Sequence, residues 1–194
     1  MATTNKKPNV DEINRNGNSI LNSAKYSSDN TDEWYTTYET IAEELSHYED
    51  EFRDKVVLCN CDDPFESNFC YYFLRNFNKL RLKKLICTSY SGSKIDQIQD
   101  NIQLTLDLFF ENGDPVTVGQ GYVLSVTKMP GRIGEEVDDE TIKTVLSKKN
   151  TVKRLKGNGD FRSEECIEYL KECDICCTNP PFSLFAALFS LLVK

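Results

Sequence analysis

The chain has 194 residues, of which 39% are hydrophobic and 28% charged, a composition that predicts one packed domain rather than two large ones. Its formal net charge of −8 argues against a protein that binds nucleic acid over its whole surface. An enzyme with a local basic cleft is not excluded. The one basic run, between residues 148 and 156, is interpreted as a solvated loop.

The N-terminal stretch differs from the rest of the chain. Residues 1–31 are rich in Asn, Ser, Thr and Lys with little apolar periodicity, which predicts a disordered polar tail without a secretory signal. The longest apolar run, 182–193, is shorter than the ~20 residues that span a bilayer, so no membrane segment is expected. Eight cysteines without a secretion signal and a single histidine favour free thiols in a reducing cytoplasm, with no metal site.

The first half of the domain has the pattern of a strand–helix–strand unit. Residues 39–54 are predicted to form an amphipathic helix, and the apolar run 55–61 a buried parallel strand. Pro64 suits the first turn of a second helix, expected over 65–77. Residues 83–90 form the next apolar run, so a βαβ crossover is predicted.

The second half predicts an insertion and then a return to the same alternation. Residues 103–129 show two extended segments around a Gly-containing turn, typical of a β-hairpin. A short helix over 138–146 and a strand over 151–155 follow. Ser163 is the expected N-cap of a helix ending at residue 172, and a strand over 174–178 precedes a helix over 183–193. The fold class predicted is therefore α/β.

The tetrapeptide Asn179-Pro180-Pro181-Phe182 lies between the last predicted strand and the last predicted helix. Open α/β sheets bind ligands at this end of their parallel strands. Two prolines stiffen the turn and remove two backbone donors, so the Asn179 side-chain oxygen and the Pro180 carbonyl can both accept from one exocyclic amino group. Phe182 offers a face for stacking a base, worth about 1–3 kcal/mol. An ordinary proline-rich turn is the alternative interpretation.

The residues around this tetrapeptide resemble a known family. Residues 174–182 look like motif IV of amino-methyltransferases, and the chain is similar to the EcoRI-type adenine-specific DNA methyltransferases over 32–48, 55–69, 82–90 and 156–185. The resemblance implies a partial class I (Rossmann-like) S-adenosylmethionine-dependent methyltransferase domain over 32–194, with the hairpin inserted. It also implies methylation of adenine N6 in DNA, with a flipped base held by the tetrapeptide.

The resemblance further implies a set of cofactor-binding residues. The segment 34–37 is similar to one that closes over the methionine part of the cofactor, although Thr37 replaces the usual proline. Asp62 and Asp63 stand where a glycine-rich motif is usual, and capping of a helix is their alternative role. An acid that would hold the ribose is missing after the second strand. The cofactor-binding residues implied are Tyr35, Thr36, Cys61, Asp62, Asp63, Pro64, Ser89, Tyr90, Asp160 and Phe161.

Asp160 and Phe161 are expected to contact the cofactor adenine, with a plain turn aspartate as the alternative. The family continues beyond the last predicted helix, so the chain resembles a truncated or split member whose other half a second chain would supply. Three functions stay open: adenine methylation in DNA, amino-methylation of RNA or of a protein glutamine, and a fragment that only binds cofactor or a partner.

Overall fold

The computed structural model describes residues 36–90, 120–148 and 151–193. The predicted polar tail, Tyr35 and the first half of the predicted hairpin lie outside these ranges. Within them, no helix is long and apolar enough to cross a membrane. The chain forms an α/β fold around one five-stranded sheet with the strand order β4-β3-β2-β1-β5.

The strands are short and their directions are mixed. They are β1 (Val56–Asn60), β2 (Lys84–Thr88), β3 (Tyr122–Val126), β4 (Val152–Arg154) and β5 (Ile175–Cys176). β1 lies between β2 and β5 and is parallel to both. β3 is antiparallel to β2 and to β4, so β4 runs in the same direction as β1. The carboxyl ends of β1, β2, β4 and β5 therefore lie at one edge of the sheet, together with the start of β3.

Two sets of side chains alternate along the strands, because successive residues of a strand face opposite sides of a sheet. Val57, Cys59 and Leu85 belong to the larger core. That core packs against α1 (Tyr38–Ser46), α2 (Asn68–Arg75), α3 (Phe77–Leu80) and α4 (Asp139–Leu146). Leu58 and Ile86 face the other side, with Cys166 of α5 (Glu164–Glu172). Helices thus cover both faces of the sheet.

Helix ends follow the capping chemistry of the sequence. Ser163 caps α5 through its hydroxyl oxygen, as predicted. Asp138 caps α4 in the same way, which shifts the predicted start of that helix by one residue. Thr37 caps α1 through its hydroxyl oxygen, which accepts from the Thr40 amide. The last helix is α6 (Phe185–Leu192), preceded by a 3-10 turn over Phe182–Leu184.

Two predicted helices are shorter than expected. The helix predicted over 39–54 ends at Ser46 and is followed by a 3-10 turn over Glu49–Phe52, a break that lets Phe52 reach the core. The helix predicted over 65–77 begins only at Asn68, because Ser67 caps it and the Asp63 carboxylate accepts a hydrogen bond from the Phe65 amide. Pro64 therefore lies in a turn before the helix and not in its first turn.

The second half of the predicted hairpin is an internal strand of the main sheet. β3 separates β2 from β4, so β4 belongs to the main sheet but pairs with an antiparallel neighbour. The strand predicted over 174–178 forms ladder pairs only at Ile175 and Cys176. Its remaining residues lead directly into the loop that carries the tetrapeptide.

Candidate active site

The buried Asp62 carboxylate, just after β1, links the end of β1 to the loop that follows β5. Cys61 adopts a positive φ of 71°, which turns the chain so that Asp62 folds back under the sheet edge, where it is 5% exposed. The Ser67 hydroxyl donates to Asp62 Oδ1 at 2.7 Å. The Thr178 hydroxyl donates to Asp62 Oδ2 at 2.6 Å. The end of β1 is thereby tied to the loop that follows β5.

The neighbouring carboxylate makes a different set of contacts. Asp63 accepts hydrogen bonds from the Phe65 amide at 2.8 Å and from the Tyr122 hydroxyl at the start of β3. Burial raises the pKa of Asp63 to about 7 and that of Asp62 to about 6, and the hydrogen bonds from Tyr122 and from Thr178 oppose these shifts. Both acids lie at the same sheet edge. Asp62 contacts the start of α2 and the loop after β5, whereas Asp63 contacts the turn after β1 and the start of β3.

The tetrapeptide lies on the loop over 178–182, which we call the β5 loop. The Asn179 side chain is exposed and the two prolines are half-buried, while the Phe182 ring is 59% exposed. The backbone amide of Asn179 donates to the Asp62 carboxylate. Asn179 and Phe182 are thus exposed, while hydrogen bonds to Asp62 hold the start of the loop against the end of β1.

The loop over 156–162, which we call the β4 loop, lies at the same edge as the β5 loop. It follows β4, the outer strand on the opposite side of the sheet from β5. Gly159 has a φ of +81°, and a Cβ at this position would lie 1.9 Å from the Ser89 carbonyl oxygen. Only glycine fits this approach. The Ser89 Oγ accepts a hydrogen bond from the Tyr122 amide at 3.1 Å, so this hydroxyl bonds to a neighbouring strand. The next residue, Tyr90, is 46% exposed.

Asp160 is paired within its own loop. The Arg162 Nη2 lies 2.5 Å from Asp160 Oδ2, and the hydrogen bond from Arg162 lowers the pKa of Asp160. The Arg162 guanidinium also lies 5.5 Å from the centre of the Phe161 ring, and that ring is 2% exposed. An adenine amino group that bound Asp160 would share this ionised carboxylate with Arg162.

The other residues expected at the site are less exposed to solvent. Pro64 is fully buried, and Cys61 is half-buried with a pKa that burial raises to about 12. The carbonyl of Thr36 accepts a hydrogen bond from Asn68 Nδ2 at 2.8 Å. Since Asn68 follows Ser67, the segment before α1 is anchored beside the Asp62 carboxylate. Tyr35 lies outside the described residues.

Two buried polar residues at this edge were missed from the sequence. Asn60 ends β1 with 1% exposure, and its Oδ1 accepts from the Thr88 hydroxyl at 2.9 Å. Its Nδ2 has no hydrogen-bond partner among the described residues, which is costly for a buried donor. The signal available in the sequence was the single Asn at the end of the apolar run 55–61. A donor left free there suits a site that a polar ligand completes.

Comparisons with known sequences match the chain to one family. Residues 20–194 match the family described as Adenine-specific methyltransferase EcoRI. The chain belongs to this family. It is 39% identical over 177 residues to the type II methyltransferase M.EcoRI of Escherichia coli, an alignment that covers 91% of the chain and 46% of that relative. The resemblance inferred from the motifs is confirmed.

Two mycoplasma relatives extend the family likeness. The chain is 35% identical over 174 residues to the type II methyltransferase M.MgeORF184P of Mycoplasma genitalium and 34% identical over 174 residues to M.MpnI of Mycoplasma pneumoniae. Each alignment covers 90% of the chain and 40% of the relative. The chain thus spans less than half the length of these family members. No solved structure matches it significantly.

Proposed function

We propose that this chain carries the cofactor-binding and base-binding part of an enzyme that transfers a methyl group from S-adenosylmethionine to the N6 amine of adenine in DNA. The observation that carries the proposal is the exposed Asn179 side chain on a loop held against β1. This loop lies at the same sheet edge as Asp160 and Tyr90. Family membership supports the reaction class.

Base capture follows from the geometry of the β5 loop. The Asn179 amide oxygen and the Pro180 carbonyl accept the two N6 hydrogens, and Phe182, which is exposed, stacks on the extruded ring. Two acceptors on one amine favour a tetrahedral nitrogen with a free lone pair. Such a nitrogen would be oriented to accept a methyl group from a bound cofactor, and solvent would take the proton that the amine then loses.

The residues present fit the cofactor. Three groups at one edge offer a donor, a stacking face and an acceptor. They are the Asn60 Nδ2, which has no partner within the described part of the chain, the exposed Tyr90 ring and the ionised Asp160. Bound there, S-adenosylmethionine supplies an electrophilic methyl group on a sulfonium. We assign the contacts predicted from the resemblance to this region, with Phe161, Ser89 and Pro64 shaping it from within. Residues assigned to cofactor binding are Tyr35, Thr36, Cys61, Asp62, Asp63, Pro64, Ser89, Tyr90, Asp160 and Phe161.

The finer architecture belongs to the same proposal. We assign the parallel strands β2, β1 and β5 to one part of a class I methyltransferase sheet within a domain over 32–194, and β3 to an insertion. α6 carries exposed apolar side chains at Phe185, Phe189 and Leu192, which a second chain or segment would cover. Eight free thiols suit a cytoplasmic protein of a restriction-modification system.

The competing function is a fragment that binds the cofactor or a partner without catalysis. The exposed apolar face of α6 favours it. Methylation of RNA or of protein glutamine uses the same acceptor geometry and is separated from DNA methylation by the substrate chosen.

The test is transfer of a labelled methyl group to unmethylated DNA, with N6-methylated DNA, RNA and a glutamine peptide in parallel. Transfer to unmethylated DNA alone is expected, either from the chain or from the chain with the C-terminal half of M.EcoRI added. Asn179→Ala should lower transfer by about 100-fold or more, because it removes an acceptor used in the transition state. Its cofactor Kd and unfolding midpoint should stay unchanged.

A result in which calorimetry detects no S-adenosylmethionine binding would reject the cofactor site. Cofactor binding without transfer, even with the added half, would favour the non-catalytic fragment. Transfer retained in Asn179→Ala would reject the base-binding role of the loop.

A further inference from the structure

The loop with the tetrapeptide is held by little regular structure. β5 pairs with β1 at only two positions, and the Cys177 amide donates to the Leu58 carbonyl at 2.9 Å. The two prolines have no N–H to donate. Beyond Cys177, the Thr178 hydroxyl and the Asn179 backbone amide both donate to the Asp62 carboxylate. The Asp62 side chain therefore ties the start of the loop to the end of β1.

The same carboxylate also holds the start of α2. Ser67 accepts the amides of Phe69 and Cys70 on its hydroxyl oxygen and donates its hydroxyl proton to Asp62. The helix start and the loop thus share one acceptor. An ionised carboxylate accepts several hydrogen bonds and donates none, so it suits three converging donors.

We infer that Asp62 is a positioning residue that fixes the Asn179 side chain relative to the cofactor end of β1. The inference rests on the proposed function, which it deepens. With 5% exposure and both oxygens engaged by the protein, Asp62 acts on the reaction through the loop. Its contribution to the cofactor site is to set the walls of that site.

The experiment compares four variants by amide hydrogen exchange at Asn179, by methyl transfer and by cofactor Kd. Thr178→Val removes one donor from the loop and keeps its shape, and Asp62→Asn replaces one acceptor oxygen with a donor. Both should speed exchange of the Asn179 amide by about tenfold or more. Both should lower kcat by a similar factor, and the cofactor Kd of Thr178→Val should stay within about twofold of the parent.

Ser67→Ala and Ser163→Ala form a matched pair, since each removes a helix N-cap and only Ser67 touches Asp62. Ser67→Ala should speed Asn179 exchange, and Ser163→Ala should not. Unchanged exchange at Asn179 in Thr178→Val overturns the inference, as does an increase spread equally over the whole chain. If exchange responds as expected but the parent transfers no methyl group even with the C-terminal half of M.EcoRI added, the proposed function fails and the positioning role stands.

Discussion

The β5 loop and the β4 loop reach the same sheet edge and are held there by different means. Side-chain hydrogen bonds to the buried Asp62 carboxylate hold the first. A close backbone approach of Gly159 to Ser89 holds the second. A loop fixed by hydrogen bonds responds to protonation and to single polar substitutions. A loop fixed by steric fit responds to added volume and hardly at all to pH.

The largest expected effect breaks the steric contact. Gly159→Ala should lower the free energy of unfolding by roughly 3 kcal/mol or more, because the new Cβ meets a backbone oxygen and the residue has a positive φ. Gly157→Ala is the matched control, since nothing lies within 4 Å of its Cβ position. Urea unfolding of both variants measures the difference. Equal midpoints would mean that the β4 loop is not anchored at Ser89.

A smaller effect concerns the exposed end of the β5 loop. Phe182→Ala should weaken transfer to DNA by about 1–3 kcal/mol, because a stacking face is lost, while the unfolding midpoint stays near that of the parent. Ile133→Ala removes another exposed apolar side chain, in the loop before α4, and should leave transfer unchanged. Steady-state kcat/KM with unmethylated DNA gives the comparison. Equal values in the two variants would remove Phe182 from the site.

The smallest expected effect is the pH dependence of stability that Asp62 and Asp63 cause. Burial raises the pKa of Asp62 to about 6 and of Asp63 to about 7. At a pH between the ordinary aspartate pKa and these raised values, the folded state therefore binds more protons than the unfolded state. Their contribution to stability is then greatest below the ordinary pKa and is lost as pH rises through the folded pKa.

The free energy of unfolding should therefore fall between about pH 4 and about pH 7. Asp63→Asn should reduce that fall by about 1 kcal/mol per pH unit. Urea titrations at several pH values measure the slope for parent and variant. A slope that the substitution leaves unchanged would show that the Asp63 carboxyl titrates with an ordinary aspartate pKa.

Several elements were predictable because their signals are local. Ser163 and the acidic residues after it predicted α5, and the apolar runs predicted β1 and β2. The exposed loop with Asn179 and Phe182 follows β5 as expected. The roles of the expected site residues stay predictions.

Other features depend on partners distant in the chain. β3 lies beside β2 because it pairs with residues more than 30 positions away in the chain. The apolar alternation of β3 alone does not distinguish a central strand from one strand of an inserted hairpin. The Asn60–Thr88 hydrogen bond joins two strand ends that only the sheet brings together. The sequence offered no reason to pair either residue with the other.

By itself, the sequence determined the family, the order of helices and strands and the stiff proline turn, because motifs, periodicity and capping act over a few residues. The tertiary structure alone decided that Asp62 turns inward to Thr178 and Ser67 and that Gly159 closes on Ser89. Burial, hydrogen bonding and steric fit between distant segments exist only once the sheet has brought its strand ends to one edge.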